Sequence, residues 1–363
     1  MDSYRPYINK HFFLNILLLK LSSLGDVLHN LPIVWDIRAQ YPDAQIDWVV
    51  EEGYVSLLEP LCSRPGFNGI DRIIPVALRR WKKSLFSAQT RHELKAFRQN
   101  LQSVSYDMVI ETQGLLKSAL VARLAKRSAD AMIAGLANAT DDSGYEPMAR
   151  WFYTACVRVP QQCHAVDRSR RVAAAAMGVP VPEKESSPPQ FYPSEFVQNL
   201  LQKKNSGDSP RHQYAMPYLV FFHATARATK RWSEDNWVAI GQALAKQGKQ
   251  IILPWGNAHE KAVSLRLCAQ IPGSVVPEAF DLNQAFEIIA GAEMTIGVDT
   301  GLTHLSAIMN KPTIEIYCDS PRWKTEGYWS PNIKNLGDIG LPPSVDEVLS
   351  ACNRRAVDNI AYN

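Results

Sequence analysis

Twice in this chain an apolar, strand-like run feeds through a turn that carries glycine and aspartate into a run that reads as a helix. The first is Ile16-Leu17-Leu18-Leu19, followed by Ser22-Ser23-Leu24-Gly25-Asp26-Val27-Leu28-His29. The second is Met294-Thr295-Ile296-Gly297, followed by Val298-Asp299-Thr300-Gly301-Leu302-Thr303-His304. A strand, a tight turn and a helix N-terminus gather free backbone N–H groups, which suit an anion. Two such turns, one in each half, predict a cleft between two α/β domains. The aspartate at each turn predicts transfer chemistry on a phosphorylated donor.

The rest of the chain fits that reading. Strand-like Asn15–Lys20, Ile46–Val50, Arg72–Val76 and Asp107–Glu111 alternate with helix-like runs near Asp26, at Ala88–Val104 and at Ser118–Lys126. Such alternation predicts an open parallel sheet. Residues 178–217 break the pattern with closely spaced prolines and Asn205-Ser-Gly-Asp-Ser209, although Ser194–Lys203 reads as a helix. This places an N-terminal domain at 1–180, a linker at 181–217 and a C-terminal domain at 218–363. In the last, strands at Tyr218–Phe222, Gln250–Leu253, Met294–Val298 and Thr313–Tyr317 alternate with helices at Ser233–Gln247, His259–Ile271, Leu282–Ala290 and Leu302–Met309. Ser233 suits an N-cap, and Ser344-Val-Asp-Glu347 fits a capping box opening a final helix, a candidate to pack back on the N-terminal domain.

Composition narrows the function. A net charge of +3 over 363 residues gives no electrostatic footprint for nucleic acid. The six cysteines are scattered, with no zinc-like spacing, which favours a reducing compartment. Lys10 and the apolar run after it are interrupted by Asn15 and Lys20 and lack an Ala-x-Ala site, so they read as a strand and not a signal peptide. No segment reaches the ~20 apolar residues of a membrane helix.

Several further segments carry a resemblance. They are Lys20-Leu-Ser-Ser-Leu-Gly-Asp-Val-Leu-His29, Asp47-Trp-Val-Val-Glu-Glu-Gly53, Ile74-Pro-Val-Ala-Leu-Arg-Arg-Trp-Lys-Lys83, Gln113-Gly-Leu-Leu-Lys-Ser118 and His164-Ala-Val-Asp167. Later come His223-Ala-Thr225 with Lys230 and Trp232, Leu253-Pro-Trp-Gly256 and Val298-Asp-Thr-Gly-Leu-Thr-His304. In order and spacing the chain resembles the ADP-heptose:lipopolysaccharide heptosyltransferases of glycosyltransferase family 9. The resemblance implies a GT-B architecture, two facing Rossmann-like domains with a cleft between them. It places the acceptor on the N-terminal domain and the donor on the C-terminal one. It also implies inverting transfer of L-glycero-D-manno-heptose from ADP-heptose to the Kdo of Kdo-lipid A. A later-acting member with a heptosylated acceptor, a non-catalytic nucleotide- or lipid A-binding protein, and a sugar-nucleotide epimerase stay open.

Site residues follow from pattern and resemblance together. Asp26 suits a base taking the proton of the acceptor hydroxyl; as a bare pattern it suits a helix cap as well. Backbone N–H groups near Thr300, Gly301 and Leu302 suit a diphosphate. By resemblance Asp299 contacts heptose hydroxyls and Lys230 offsets charge on the departing ADP. Thr225 accompanies Lys230, and Ala226 stands where the family often has a second threonine. Glu260 is implied at the adenosine ribose and Phe280 near the adenine, where a core aromatic reads equally well. His304 fits either the phosphates or ordinary helix packing. Arg79, Arg80, Lys82 and Lys83, around Trp81, suit the carboxylates and phosphates of Kdo-lipid A and an anionic membrane surface. Ser23, Gly25, Gln113, Lys117 and His164 are further acceptor-side candidates. Tyr145 stands where the family tends to have arginine, and Cys318-Asp319-Ser320-Pro321 departs from the expected donor loop. No metal-ligand spacing is visible, so no cofactor is expected, and Lys230 with the helix N-terminus would replace a divalent cation. The implied location is cytoplasmic, peripheral on the cytoplasmic face of the inner membrane.

Overall fold

The computed structural model describes residues 14–184, 188, 190–202, 214 and 217–360. It divides into two compact units, Met1–Ser187 and Pro188–Asn363.

The first unit runs β1 (Asn15–Leu19), α1 (Leu24–His29), α2 (Pro32–Gln40), β2 (Gln45–Glu51), α3 (Val55–Leu58), β3 (Arg72–Val76), α4 (Leu78–Trp81), α5 (Ala88–Leu101), β4 (Tyr106–Glu111), α6 (Leu116–Leu124), β5 (Arg127–Leu136), β6 (Ala155–Val157) and α7 (Ala165–Met177). Among the described residues the sheet order is β3-β2-β1-β4-β5-β6, with every neighbouring pair parallel. A parallel sheet is covered on both faces, which favours near-continuous apolar strands, and β1 is the clearest case. Ile16, Leu17, Leu18 and Leu19 are all fully buried. Strand order reverses between β1 and β4, and ligands of open α/β sheets bind outside the carboxyl ends of strands at such a point.

Residues 127–177 hold β5, β6 and α7, elements that the sequence pattern does not announce. The reason is polarity. β5 opens on the exposed or half-buried Arg-Ser-Ala-Asp-Ala, and α7 buries Arg168, Ser169 and Arg170. Arg170 is buried because Asp36 of α2 meets it at 2.7 Å. Gly178, at φ +68°, gives α7 its left-handed end.

The second unit runs α8 (Ser194–Gln202), β7 (Tyr218–Phe222), α9 (Glu234–Lys246), β8 (Gln250–Ile252), α10 (Ala258–Cys268), α11 (Leu282–Gly291), β9 (Met294–Val298), α12 (Gly301–Ile308), β10 (Thr313–Tyr317), α13 (Arg322–Thr325), β11 (Ile333–Gly337) and α14 (Val345–Ile360). Its described strands pair in parallel in the order β11-β10-β9-β7-β8. Here the order reverses between β7 and β9. The caps fall where the sequence placed them: Ser233 accepts from Asn236 N–H at 3.2 Å, and Ser344 and Glu347 exchange the two capping-box bonds.

One expectation about organisation needs correction. The stretch taken as linker is partly core of the second unit. Phe191 and Tyr192 are buried, Tyr192 packs edge-on against Phe286 of α11, and Phe191 N–H bonds Ile308 C=O at 3.0 Å. Burying each such side chain contributes roughly 1.5–3 kcal/mol, which outweighs the proline-rich composition. Residues 203–213, including Lys203 and the Asn205–Ser209 tract, lie outside the described residues. The final helix sets Val348, Ala351 and Cys352 into the core of its own unit, beside α9 and β10.

Candidate functional site

In the first unit the carboxyl ends of β1 and β4 carry the candidate base. Ser23, not Asp26, is the N-cap of α1; Asp26 is three residues on and reaches back, its Oδ2 accepting from Ser23 N–H at 3.1 Å and Ser23 Oγ at 3.0 Å. Its other oxygen, Oδ1, faces Lys20 Nζ at 3.6 Å and Arg168 at 3.7 Å. Asp26 keeps 35% of its side-chain exposure, so one side stays open. Burial alone would raise its pKa, but Lys20, Arg168 and the Ser23 bonds outweigh that and hold it well below the carboxylate range. Lys20 is itself buried, its ammonium giving a hydrogen bond to Thr112 C=O at 3.1 Å. Burial pushes it down to about 8, with Asp26 pulling the other way.

The sequence marked Lys20 only as part of a motif, and Arg168 not at all. Lys20 had a signal, a lysine directly after a fully apolar strand. Arg168 had none, because an arginine within a helical run reads as solvent-facing, and the Asp26 carboxylate it approaches is far away in the chain.

The acceptor-side candidates divide. Gln113 is a brace: its Oε1 accepts from Leu21 N–H at 3.1 Å and Ser22 N–H at 3.2 Å, fixing the chain before α1. Gln113 N–H in turn bonds the buried Glu111 at 2.8 Å. His164 caps α7, its Nδ1 accepting from Val166 N–H at 3.2 Å, and packs edge-on against His29. Arg80 is engaged by Glu52 at 2.9 Å and Glu93 at 2.8 Å, so it is no open anion clamp. Arg79 lies over the Tyr54 ring. Trp81 is buried and anchors α4 through Glu93 at 2.6 Å. Lys82, Lys83 and Lys117 are exposed, and Ser23 and Gly25 line the start of α1. Phe86, just past Lys83, is 90% exposed.

In the second unit the reversal point between β7 and β9 gathers the donor-side candidates. Asp299 follows β9, and its Oδ2 meets Lys230 Nζ at 2.5 Å. Its Oδ1 accepts from His304 Nε2 at 3.0 Å and Thr325 Oγ at 3.3 Å. Thr225, after β7, gives its hydroxyl proton to Asp299 C=O at 3.3 Å. Burial opposes the charge on Asp299, but His304 and Lys230 outweigh it and keep it far below the carboxylate range. Thr300 caps α12 and Gly301 opens it, so the first N–H groups of that helix lie beside this cluster. The glycine that packing demands here is Gly297: a Cβ there would sit 2.0 Å from Thr303 Oγ. His304 faces Asp299 with one ring nitrogen and Glu315, fully buried on β10, with the other at 3.4 Å. Glu315 escaped the sequence reading because an acid inside an apolar strand gives no periodic signal.

Glu260 holds the turn before α10, accepting from Gly256 N–H and Asn257 Nδ2, each at 2.7 Å. The loop carrying half-buried Phe280 is tied to the same turn by Trp255 Nε1 on Pro277 C=O at 2.9 Å. Beside them a cavity of about 150 Å³ is lined by His223, Arg231, Trp232, His259 and Glu260 among others. Chemically, the first unit offers a half-open carboxylate whose charged form Lys20 and Arg168 favour. The second offers a lysine, a helix N-terminus and a buried carboxylate, suited to a phosphorylated sugar.

Comparison with known proteins agrees over nearly the whole chain. The sequence profile of glycosyltransferase family 9 (heptosyltransferase) matches residues 94–349. Lipopolysaccharide heptosyltransferase 1 of Escherichia coli strain K12 is 37% identical over 307 residues, 84% of this chain and 88% of the relative. The structure of E. coli heptosyltransferase WaaC with ADP aligns with a TM-score of 0.76 at 32% identity, over 94% of this chain and 99% of that one. The same enzyme with ADP-2-deoxy-2-fluoro heptose aligns at 0.70 and 32% identity, over 95% and 100% of the two chains.

Proposed function

We propose that this chain, which belongs to glycosyltransferase family 9, the heptosyltransferases, moves L-glycero-D-manno-heptose from ADP-heptose to the Kdo of Kdo-lipid A with inversion. The observation that carries the reading is the half-open Asp26 carboxylate, kept ionised by Lys20 and Arg168 at the end of β1. An inverting transfer needs one base, poised to take the acceptor hydroxyl proton as oxygen attacks the anomeric carbon. A carboxylate of such low basicity takes that proton late, once the new C–O bond has made the hydroxyl acidic. The adjacent cations then lose part of their partner, which favours passing the proton on and restoring the charge.

On the donor side, Lys230 and the start of α12 stabilise the charge that gathers on the departing ADP. Asp299 and Thr225 orient the heptose and diphosphate, and Glu260 meets the ribose diol. Turnover is expected without added divalent metal, so chelation with EDTA leaves the rate unchanged; a rate restored only by Mg²⁺ would overturn this part.

The acceptor's carboxylates and phosphates meet Arg79, Lys82, Lys83 and Lys117. Lys82 and Lys83, beside exposed Leu85 and Phe86, suit the headgroups of an anionic membrane surface. No helix among the described residues is long and apolar enough to cross a membrane, and the contact proposed is peripheral, on the cytoplasmic face of the inner membrane.

Mass spectrometry of the protein incubated with ADP-heptose and Kdo-lipid A tests the reading. A heptose-sized gain on the acceptor with release of ADP is expected. Gain only on a heptosylated acceptor would assign a later step, and ADP binding with no product would indicate a binding protein.

A further inference from the structure

Four charges of alternating sign run inward from the donor side of the second unit: Lys230, Asp299, His304 and Glu315. Lys230 meets Asp299 at 2.5 Å, His304 Nε2 meets Asp299 at 3.0 Å, and His304 Nδ1 lies 3.4 Å from Glu315. Asp299, His304 and Glu315 are all buried, Glu315 completely. A neutral imidazole carries one N–H. With a carboxylate facing each nitrogen, a doubly protonated ring can serve both. Glu315 is fixed in turn: its Oε2 accepts from Tyr317 OH and from Gly327 N–H, both at 3.0 Å. Gly327 lies just past α13, whose Thr325 bonds Asp299, so Glu315 also ties that loop to the sheet.

We propose that Glu315 is a positioning residue for the donor site: it holds His304 as a cation, and His304 keeps Asp299 charged and oriented when Lys230 turns from Asp299 to the diphosphate. Without such a partner, movement of Lys230 would strand a buried carboxylate, which is strongly unfavourable. The inference rests on the donor role given to Asp299 and Lys230 above, and it adds a residue on β10 that touches no substrate itself.

The charged groups facing the ring are Asp299, after β9, and Glu315, on β10; Lys230 and Tyr317 stand behind them. Burial pulls His304 down, but the bonds to Asp299 and Glu315 outweigh it and raise it to about 9. The folded value lies above the ordinary 6.5. The stabilisation is therefore complete below pH ~6.5 and is lost as pH rises through the folded value.

The test measures affinity for ADP-heptose against pH, without acceptor, in the unsubstituted protein and in Glu315→Gln. The unsubstituted protein should bind evenly up to a break near pH 9. In Glu315→Gln the break should move toward pH ~7, so affinity at pH 8 falls about tenfold while affinity at pH 6 is nearly kept. Glu315→Asp should restore part of the shift. An unmoved break in Glu315→Gln, with or without a lower Tm, would make Glu315 structural only and overturn the proposal. Should that variant not fold, the ring signals of His304 in the unsubstituted protein decide: titration near pH 9 supports the positioning role, and titration below pH 7 overturns it. Failure of the unsubstituted protein to bind ADP-heptose at any pH would overturn the donor reading, and the positioning role with it.

Discussion

Asp26 and Asp299 both stand where a parallel strand passes into a helix, Asp26 in the first turn of α1 and Asp299 just before the cap of α12, yet the two units treat them differently. Asp26 keeps a third of its side chain open and meets its cations at 3.6 and 3.7 Å. Asp299 is 6% exposed, with directed contacts at 2.5 Å to Lys230 and 3.0 Å to His304. The first is a charge left accessible at the end of β1. The second is a charge locked into a row. Cations at arm's length keep a carboxylate ionised without occupying the oxygen that must receive a proton, whereas direct bonds make a rigid acceptor for hydroxyl groups. The same strand–turn–helix pattern therefore serves a reacting group in one unit and a holding group in the other.

The widest break in this comparison comes from Asp26→Asn, which keeps shape and removes the base. Turnover should fall about 10²–10⁴-fold, with ADP affinity unchanged by calorimetry; a rate near that of the unsubstituted protein would remove Asp26 from the chemistry. Lys230→Ala comes next. It removes the cation nearest the leaving group and unpairs Asp299, so kcat/KM should drop about 10²–10³-fold with weaker donor binding. Equal kinetics in that variant would place the leaving-group stabilisation elsewhere.

The outer surface of the first unit is a sharper test of membrane contact than of catalysis. Reversing Lys82 and Lys83 to glutamate should weaken binding to anionic vesicles by about 2 kcal/mol or more, roughly 30-fold, while ADP binding stays constant. Sedimentation with vesicles of neutral and anionic lipid reads this directly, and equal pelleting would assign the pair to ordinary solvation. The smallest effect should come from Gln113→Ala. It removes the acceptor of two backbone N–H groups, each costing about 1–3 kcal/mol if left unpaired. The Tm should fall by several degrees, at roughly 2–4 °C per kcal/mol, and turnover only a few-fold. A collapse of acceptor binding with an unchanged Tm would return Gln113 to substrate contact.

Much of the frame was legible. Met294–Val298 and Thr313–Tyr317 lie where a largely apolar run of strand length predicts, because a strand buried on both faces tends toward a near-continuous apolar run. Ser233 and Ser344 cap helices because local hydrogen bonding to the first turn is decided within a few residues. The two turns with Asp26 and Asp299 were found for the same reason. Less legible were elements whose burial depends on pairing across the fold. α7 hides Arg168 and Arg170 behind Asp26 and Asp36, and β10 hides Glu315 behind His304, Tyr317 and Gly327. The aromatic pair Phe191 and Tyr192 sits among prolines that mark a connector, whereas Tyr192 packs on Phe286 of α11, the Phe191 ring packs on Trp329, and Phe191 N–H bonds Ile308 C=O of α12.

By itself the sequence determined two parallel α/β units, the turns that end β1 and β9, and membership of a glycosyltransferase family. Each of these is written in contiguous residues, through strand hydrophobicity, capping and motif order. Tertiary structure alone decided the charge around each aspartate. Lys20 and Arg168 come to Asp26 from a strand end and a distant helix, and Glu315 reaches Asp299 only through His304. Electrostatic character depends on distance and burial in space, and neither is encoded in neighbouring positions along the chain.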